Sequence, residues 1–198
     1  MPAQPKHRAA IVAAAAGLFR RNGYAATGLN DIVARSKAPK GSLYHYFPRG
    51  KAQIGEAAVL AAGALVRDTL ERLAVEQPDA AALVREYVRW LGIWMAQSGW
   101  RDGCPITTVL LETAAEDEII RAAGREAFAG WVEVLTRRLE ADGVAPERAK
   151  SLAGVAVSAL EGSLIQARVE RSEAPIAAVG EMLAELFAAA RYPLGGRA

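Results

Sequence analysis

Disulfide bonds within the chain are excluded, because Cys104 is the only cysteine among 198 residues. A reducing cytoplasm is the expected setting. Histidine is almost as scarce, with only His7 and His45, and no spacing of Cys, His, Asp and Glu has the form of a metal site. No phosphate loop or nucleophile elbow occurs, so neither a metal, nor a cofactor, nor enzymatic activity is expected. No run of about 18 or more strongly apolar residues suggests a membrane span. Hydrophobic residues make up 52% of the chain, but much of that share is alanine. The Ala-rich start "HRAAIVAAAAGLFRRNGY" is broken by Gly17 and by charges, and it lacks a convincing cleavage site. It reads as a helix and not as a signal peptide.

Acid is missing from one region in particular. Residues 1–51 hold nine Lys/Arg (Lys6, Arg8, Arg20, Arg21, Arg35, Lys37, Lys40, Arg49, Lys51) and a single acid, Asp31. Of the totals of 24 and 22, the other 15 basic and 21 acidic residues fall in the remainder. The net charge of +2 therefore conceals a basic head, suited to a polyanion, on a mildly acidic body.

Strand patterns are absent too. Apolar residues recur at helical spacing, and breakers divide them into about nine helices. The first runs from about Lys6 to Asn22, burying Ile11, Ala14, Ala15, Leu18 and Phe19, with Gly23 as its left-handed stop. Thr27 is expected to cap a short second helix, "GLNDIVARS", with Asp31 in its first turn. Pro39 opens a third, which ends near Phe47. A long fourth, from about Arg49 to Val75, places Ile54, Ala58, Ala61, Leu65 and Leu73 near one face. The fifth spans Asp79 to Ser98 and the sixth roughly Pro105 to Ala114. The seventh carries Ile120, Phe128, Trp131, Leu135 and Leu139; the eighth runs from about Pro146 to Ser172 and the ninth from Ile176 to Arg191.

The stretch "KAPKGSLYHYFPRGK", residues 37 to 51, concentrates hydrogen-bonding aromatics among cations. At 100° per residue, Leu43 and Phe47 share the face that packs on Ile32, Val33 and Leu18. Gly41, Ser42 and His45 point the other way, flanked by Tyr44 and Tyr46. A face that is small at its start and hydrogen-bonding beyond suits a DNA major groove. Lys40 and Lys51 bracket it as phosphate contacts, and the helix start at Thr27 offers amides to a further phosphate. Packing alone would serve Tyr46 equally well. A helix, a tight turn and a second, reading helix make a helix-turn-helix.

"LFRRNGYAATGLNDIVARSKAPKGSLYHYFPRGK" closely resembles the N-terminal signature of TetR-family transcriptional regulators, over about forty-five residues. The carrying elements are Gly23-Tyr24, Thr27, Asp31-Ile32, the run from Lys40 to Phe47, and Lys51. "GCPITTVLLE" and "ALEGSLIQAR" make it similar to the LmrA/YxaF-type subgroup. "YHYFPRGK" carries one residue more before the lysine than the commonest pattern. The family usually places glycine between the two helices, where this chain has Lys37. A left-handed Lys37 would carry strain; a differently shaped turn would alter the reader's angle.

The expected fold is all-α: a three-helix DNA-binding head, residues 1–51, and a helical ligand-binding and dimerisation domain, residues 52–198. Resemblance to the family implies double-stranded operator DNA as partner, a small inducer, a homodimer, repression and a cytoplasmic location. Candidate DNA contacts are Thr27, Lys40, Gly41, Ser42, Tyr44, His45, Tyr46 and Lys51. All four tryptophans lie in the body. Trp90, Trp94, Met95, Leu111, Phe128 and Trp131 are candidates to line a site for an apolar or aromatic ligand; aromatic stripes at helical spacing equally suit plain core. Gly154, Ser158 and Gly162, four residues apart, would let another helix approach closely, and with Leu183 and Phe187 they are the candidate dimer interface. The same small stripe could instead receive a helix of its own chain. Cys104, before Pro105, permits a thiol sensor, although a lone loop cysteine usually has no such role. A rival reading is an all-helical enzyme or small-molecule carrier with an incidental basic head; another is a DNA binder whose aromatic body is solid core.

Overall fold

The computed structural model describes residues 5–191, with side chains from His7 onward, so Lys6 in the basic cluster lies outside the described side chains. Among the described residues there are nine α-helices and no strand. They are α1 (Pro5–Asn22), α2 (Leu29–Ser36), α3 (Lys40–Tyr46), α4 (Lys51–Glu76), α5 (Ala80–Gln97), α6 (Pro105–Thr113), α7 (Glu118–Ala141), α8 (Pro146–Glu170) and α9 (Ala174–Ala190).

The chain forms two compact units. The first runs to Ala64 and takes in Gly103–Ala127; the second is Leu65–Asp102 with the chain from Phe128 onward. The long helices α4 and α7 each contribute to both.

In the first unit, α1 packs on α2, α3 and α6. Ile11, Ala15, Phe19, Ile32, Leu43, Phe47, Ile54 and Val59 are fully buried there. Gly23, at φ 89°, donates its N–H to the Phe19 carbonyl at 2.9 Å and ends α1 as the left-handed stop expected of it. Close approach requires glycine at Gly63, where a Cβ would stand 2.6 Å from the Ala127 Cβ. The expected stripe on α4 is only partly interior. Ile54, Ala58 and Leu73 are buried, while Ala61 and Leu65 are exposed. Over the 26 residues of α4 the buried side passes from Ile54 and Ala58 to Ala62, Gly63 and Leu70. Leu18 is half-buried, at the margin of α1's apolar face.

In the second unit, α9 packs against α5 and α8. Two carboxylates satisfy the start of α5. Asp79 accepts from the Ala82 N–H at 2.8 Å and Asp142 from the Ala80 N–H at 2.6 Å. Arg191 pairs with Asp79 at 2.9 Å, and Arg138 with Asp142 at 2.8 Å. The Arg138 guanidinium also donates to the carbonyls of Ala74 and Pro78, joining the end of α4 to this corner. By length and composition α8 is the one described helix apolar enough to cross a membrane. It buries Ala153, Ala156, Leu160 and Leu164 and leaves Val155, Ile165 and Val169 exposed.

Candidate nucleic-acid interface and ligand cavity

The turn into α2 differs from the sequence expectation. Gly28, not Thr27, is the cap residue, and its N–H donates to Asp31 Oδ2 at 3.0 Å. This spends the head's only acid on its own helix. Thr27 is buried, its hydroxyl donates to the Gly23 carbonyl at 2.8 Å and its N–H to the Tyr24 carbonyl at 3.1 Å. With both donors occupied inside the turn, Thr27 is a corner post and not a phosphate contact.

Helix α2 ends at Lys37, which adopts φ 53° and ψ 20° in the left-handed region. The strained alternative is therefore the one the turn takes. Ser36 Oγ donates to the Val33 carbonyl and accepts from the Ala38 N–H, tying the turn to α2. Leu43 and Phe47 face inward without exposure, as their spacing requires. Lys40, Gly41, Tyr44 and His45 are exposed, and Ser42 and Tyr46 are half-buried. A Cβ on Gly41 would meet nothing within 4 Å, so the start of α3 presents a low surface to solvent. The His45 and Tyr46 rings meet edge-on at 5.2 Å.

The flanking cations are not equally available. Arg49 pairs with Glu56 at 2.8 Å, and the Arg8 guanidinium lies over the Phe47 ring at 5.5 Å. Lys51 Nζ donates to the Ala25 carbonyl at 3.2 Å and sits 4.5 Å from the Tyr24 ring centroid. Burial lowers the Lys51 pKa, and the Glu112 carboxylate opposes that shift. Of its three donors, one is committed to the head's own backbone.

The second unit contains an apolar cavity bounded by α4, α5, α7 and α8, with Leu83, Tyr87, Leu91, Trp131, Leu160 and Glu161 among its walls. The space free of protein atoms is ≈ 430 Å³, part of it open to solvent, and the centre of a water molecule can range over only ≈ 30 Å³. That is room for a water or two, well short of an aromatic molecule.

Of the six residues expected to line a ligand site, Trp131 is the one that borders this cavity. Trp90 is half-buried and outside the lining; its indole N–H donates to Glu86 at 2.6 Å and Arg72 stacks on its ring at 4.6 Å. Trp94, on the same stripe, is half-buried and outside the lining. Met95 is sealed in core with no exposure. Phe128, half-buried, packs edge-on against Trp131 at 5.2 Å and is not part of the cavity lining. Leu111 is 78% exposed on α6 in the first unit. Leu83, Tyr87 and Leu91, which border the cavity, form their own four-residue stripe on α5, its mean direction about 40° around the helix from that of the two tryptophans.

The face of α8 carrying Gly154, Ser158 and Gly162 is open; Cβ atoms on the two glycines would meet nothing within 4 Å. Among the described residues no helix of the same chain occupies that stripe. Leu183 and Phe187, by contrast, are buried against their own chain. The apolar residues that α9 leaves exposed are Met182 and Leu186. Among the described residues no cluster of His, Cys, Asp or Glu could hold a metal ion.

Comparison with known proteins assigns the class. The family described as bacterial regulatory proteins, tetR family, matches residues 11–64, and the C-terminal domain of LmrA/YxaF-like transcriptional regulators matches residues 80–182. The HTH-type transcriptional regulator YxaF of Bacillus subtilis is 31% identical, over 92% of this chain and 96% of its own. Rv0196 of Mycobacterium tuberculosis, also described as an HTH-type transcriptional regulator, is 36% identical over 93% and 95%. A crystal structure of regulatory protein TetR from Rhodobacter sphaeroides superposes with a TM-score of 0.78 at 25% identity, over 89% and 96% of the two chains. The chain belongs to the TetR family of DNA-binding transcriptional regulators, in its LmrA/YxaF-like branch, and this is not a family of enzymes.

Proposed function

We propose that the protein is a cytoplasmic, homodimeric repressor that leaves its operator when a small apolar or aromatic ligand binds. The observation that carries this reading is the outward face of α3. Lys40, Gly41, Tyr44 and His45 are exposed together in a head whose single acid is turned onto Gly28. In this reading residues 1–51 bind DNA and 52–198 sense and dimerise. Lys40, Gly41, Ser42, Tyr44, His45 and Tyr46 meet the major groove, and the remaining donors of Lys51 reach a phosphate.

The dimer forms through the open face of α8, with Gly154, Ser158 and Gly162 at its centre and Val155, Ile165, Met182 and Leu186 around them. Burial of that face also accounts for a helix as apolar as α8 in such a regulator. The inducer enters the cavity beside Trp131, with Tyr87 and Glu161 as its polar neighbours. Because that cavity holds a water or two, the ligand must part the helices around it. That movement is the work available for release of DNA, and it is limited to the ligand's preference for the non-binding form, about 1–3 kcal/mol.

Fluorescence anisotropy with a duplex from the chain's own upstream region tests the first half of the proposal. Binding should be tight to a pseudo-palindrome and should weaken steeply with salt, since several phosphate contacts per dimer release counterions. Affinity that stays flat between low and high salt would remove the electrostatic basis. The narrowness of the cavity favours one rival, a DNA binder without inducer. A thermal-shift screen of apolar and aromatic compounds, read also by tryptophan fluorescence, separates the two.

A further inference from the structure

The turn joining α1 to α2 is gripped by a side chain from far along the sequence. Glu112, near the end of α6, accepts the Tyr24 N–H on Oε1 at 2.8 Å and the Ala25 N–H on Oε2 at 2.7 Å, a two-pronged contact across 88 and 87 residues. Gly23 makes room for it, since a Cβ there would stand 2.7 Å from Oε1. The same short turn is held by Lys51 through the Ala25 carbonyl and the Tyr24 ring. The start of α6 is tied to α1 as well, because the Gly103 N–H donates to the Arg20 carbonyl at 3.2 Å. Hydrogen bonds from amides to a carboxylate are roughly twice as strong as neutral ones.

Three residues beyond Ala25, Gly28 begins α2, so this turn sets the direction in which the helix-turn-helix leaves α1. Glu112 lies in the stretch matched to the C-terminal regulatory domain, and the turn in the stretch matched to the DNA-binding domain. Glu112 is exposed, and so are its bonds to the turn. If they break, water replaces them without leaving a buried orphan, and the fold does not depend on them. What they fix is an angle.

We propose that Glu112 is a positioning residue for operator binding: its carboxylate holds the α1–α2 turn so that α3 meets the groove at the productive angle, and movement of α6 passes to the reader helix through it. This rests on the regulator reading above. The test uses the full-length chain and its Glu112→Gln variant. Affinity is measured at several salt concentrations for the upstream duplex and for an unrelated duplex of equal length. The variant should lose about tenfold on the upstream duplex, while its affinity for unrelated DNA and the slope of affinity with salt stay as in wild type. Equal loss on both duplexes would mark a merely structural role and overturn the proposal, as would an unchanged ratio between them. If wild type itself fails to prefer the upstream duplex, the regulator reading falls and this one falls with it.

Discussion

Lys37 holds a left-handed backbone, φ 53°, at the turn between α2 and α3. In that region a Cβ crowds the following carbonyl, at a cost of about 1 kcal/mol that glycine avoids. The side chain is exposed, so little packing is lost by removing it. Lys37→Gly should therefore stabilise the protein by a few tenths to about 1 kcal/mol, read as a higher melting temperature. A neutral or lower melt would show that the strain is relieved elsewhere. Glu112 and Thr27 make the contrasting point at this scale. Both are polar residues at the α1–α2 turn, and their roles follow from which atoms their oxygens meet.

Among the elements, α5 has the most heavily determined start. Asp79 caps it, and the Asp79 carboxyl is held below its ordinary value of 3.8, chiefly by the hydrogen bond from the Ala82 N–H and then by Arg191 and Arg138 against the opposing effect of burial. The sign follows from that direction. A carboxyl whose folded pKa is depressed contributes stability that is fully present above the unfolded value and is lost as pH falls through the folded one. Asp79→Ala should cost about 1 kcal/mol near neutral pH. The gap between variant and wild type should narrow in melts run progressively below pH 3.8, as the wild-type carboxyl takes up its proton. A gap constant down to strong acid would mean that the charge on Asp79 does not act at the cap. Helix α4 shows the converse: along its length the buried side passes from Ile54 and Ala58 to Ala62, Gly63 and Leu70, and so Ala61 and Leu65 are exposed.

For the whole molecule the decisive surface is the open face of α8. Cβ atoms on Gly154 and Gly162 would meet nothing within 4 Å, and Val155, Ile165 and Val169 on the same helix and Met182 on α9 are exposed. Exposed apolar groups gathered in this way mark an interface. Gly162→Leu should hold the paired helices apart and yield a monomer in sedimentation velocity with its helical content intact. An undisturbed dimer would move the interface elsewhere. Loss of the dimer should also abolish tight binding to a palindrome, because each head then reads a half-site alone.

The sequence by itself determined the helices, their order and which residues of α3 face outward. Those follow from contacts three and four residues apart, from glycine and proline at the breaks, and from the motif between Gly23 and Lys51. Gly23 as a stop, Leu43 and Phe47 as the inner face and the left-handed Lys37 are all local properties of the chain. Only the tertiary structure decided which face of each body helix looks inward. Trp90 and Trp94 satisfy helical periodicity as well as Leu83, Tyr87 and Leu91 do, and the rotation of α5 against its neighbours chooses between them. The same holds for α9, where Leu183 and Phe187 turn inward and Met182 and Leu186 outward. Periodicity fixes the width of an apolar stripe but not the crossing angle at which the next helix covers it. The grip of Glu112 on Tyr24 and Ala25 is the extreme case, since no local rule relates residues 88 positions apart until α6 has packed on α1.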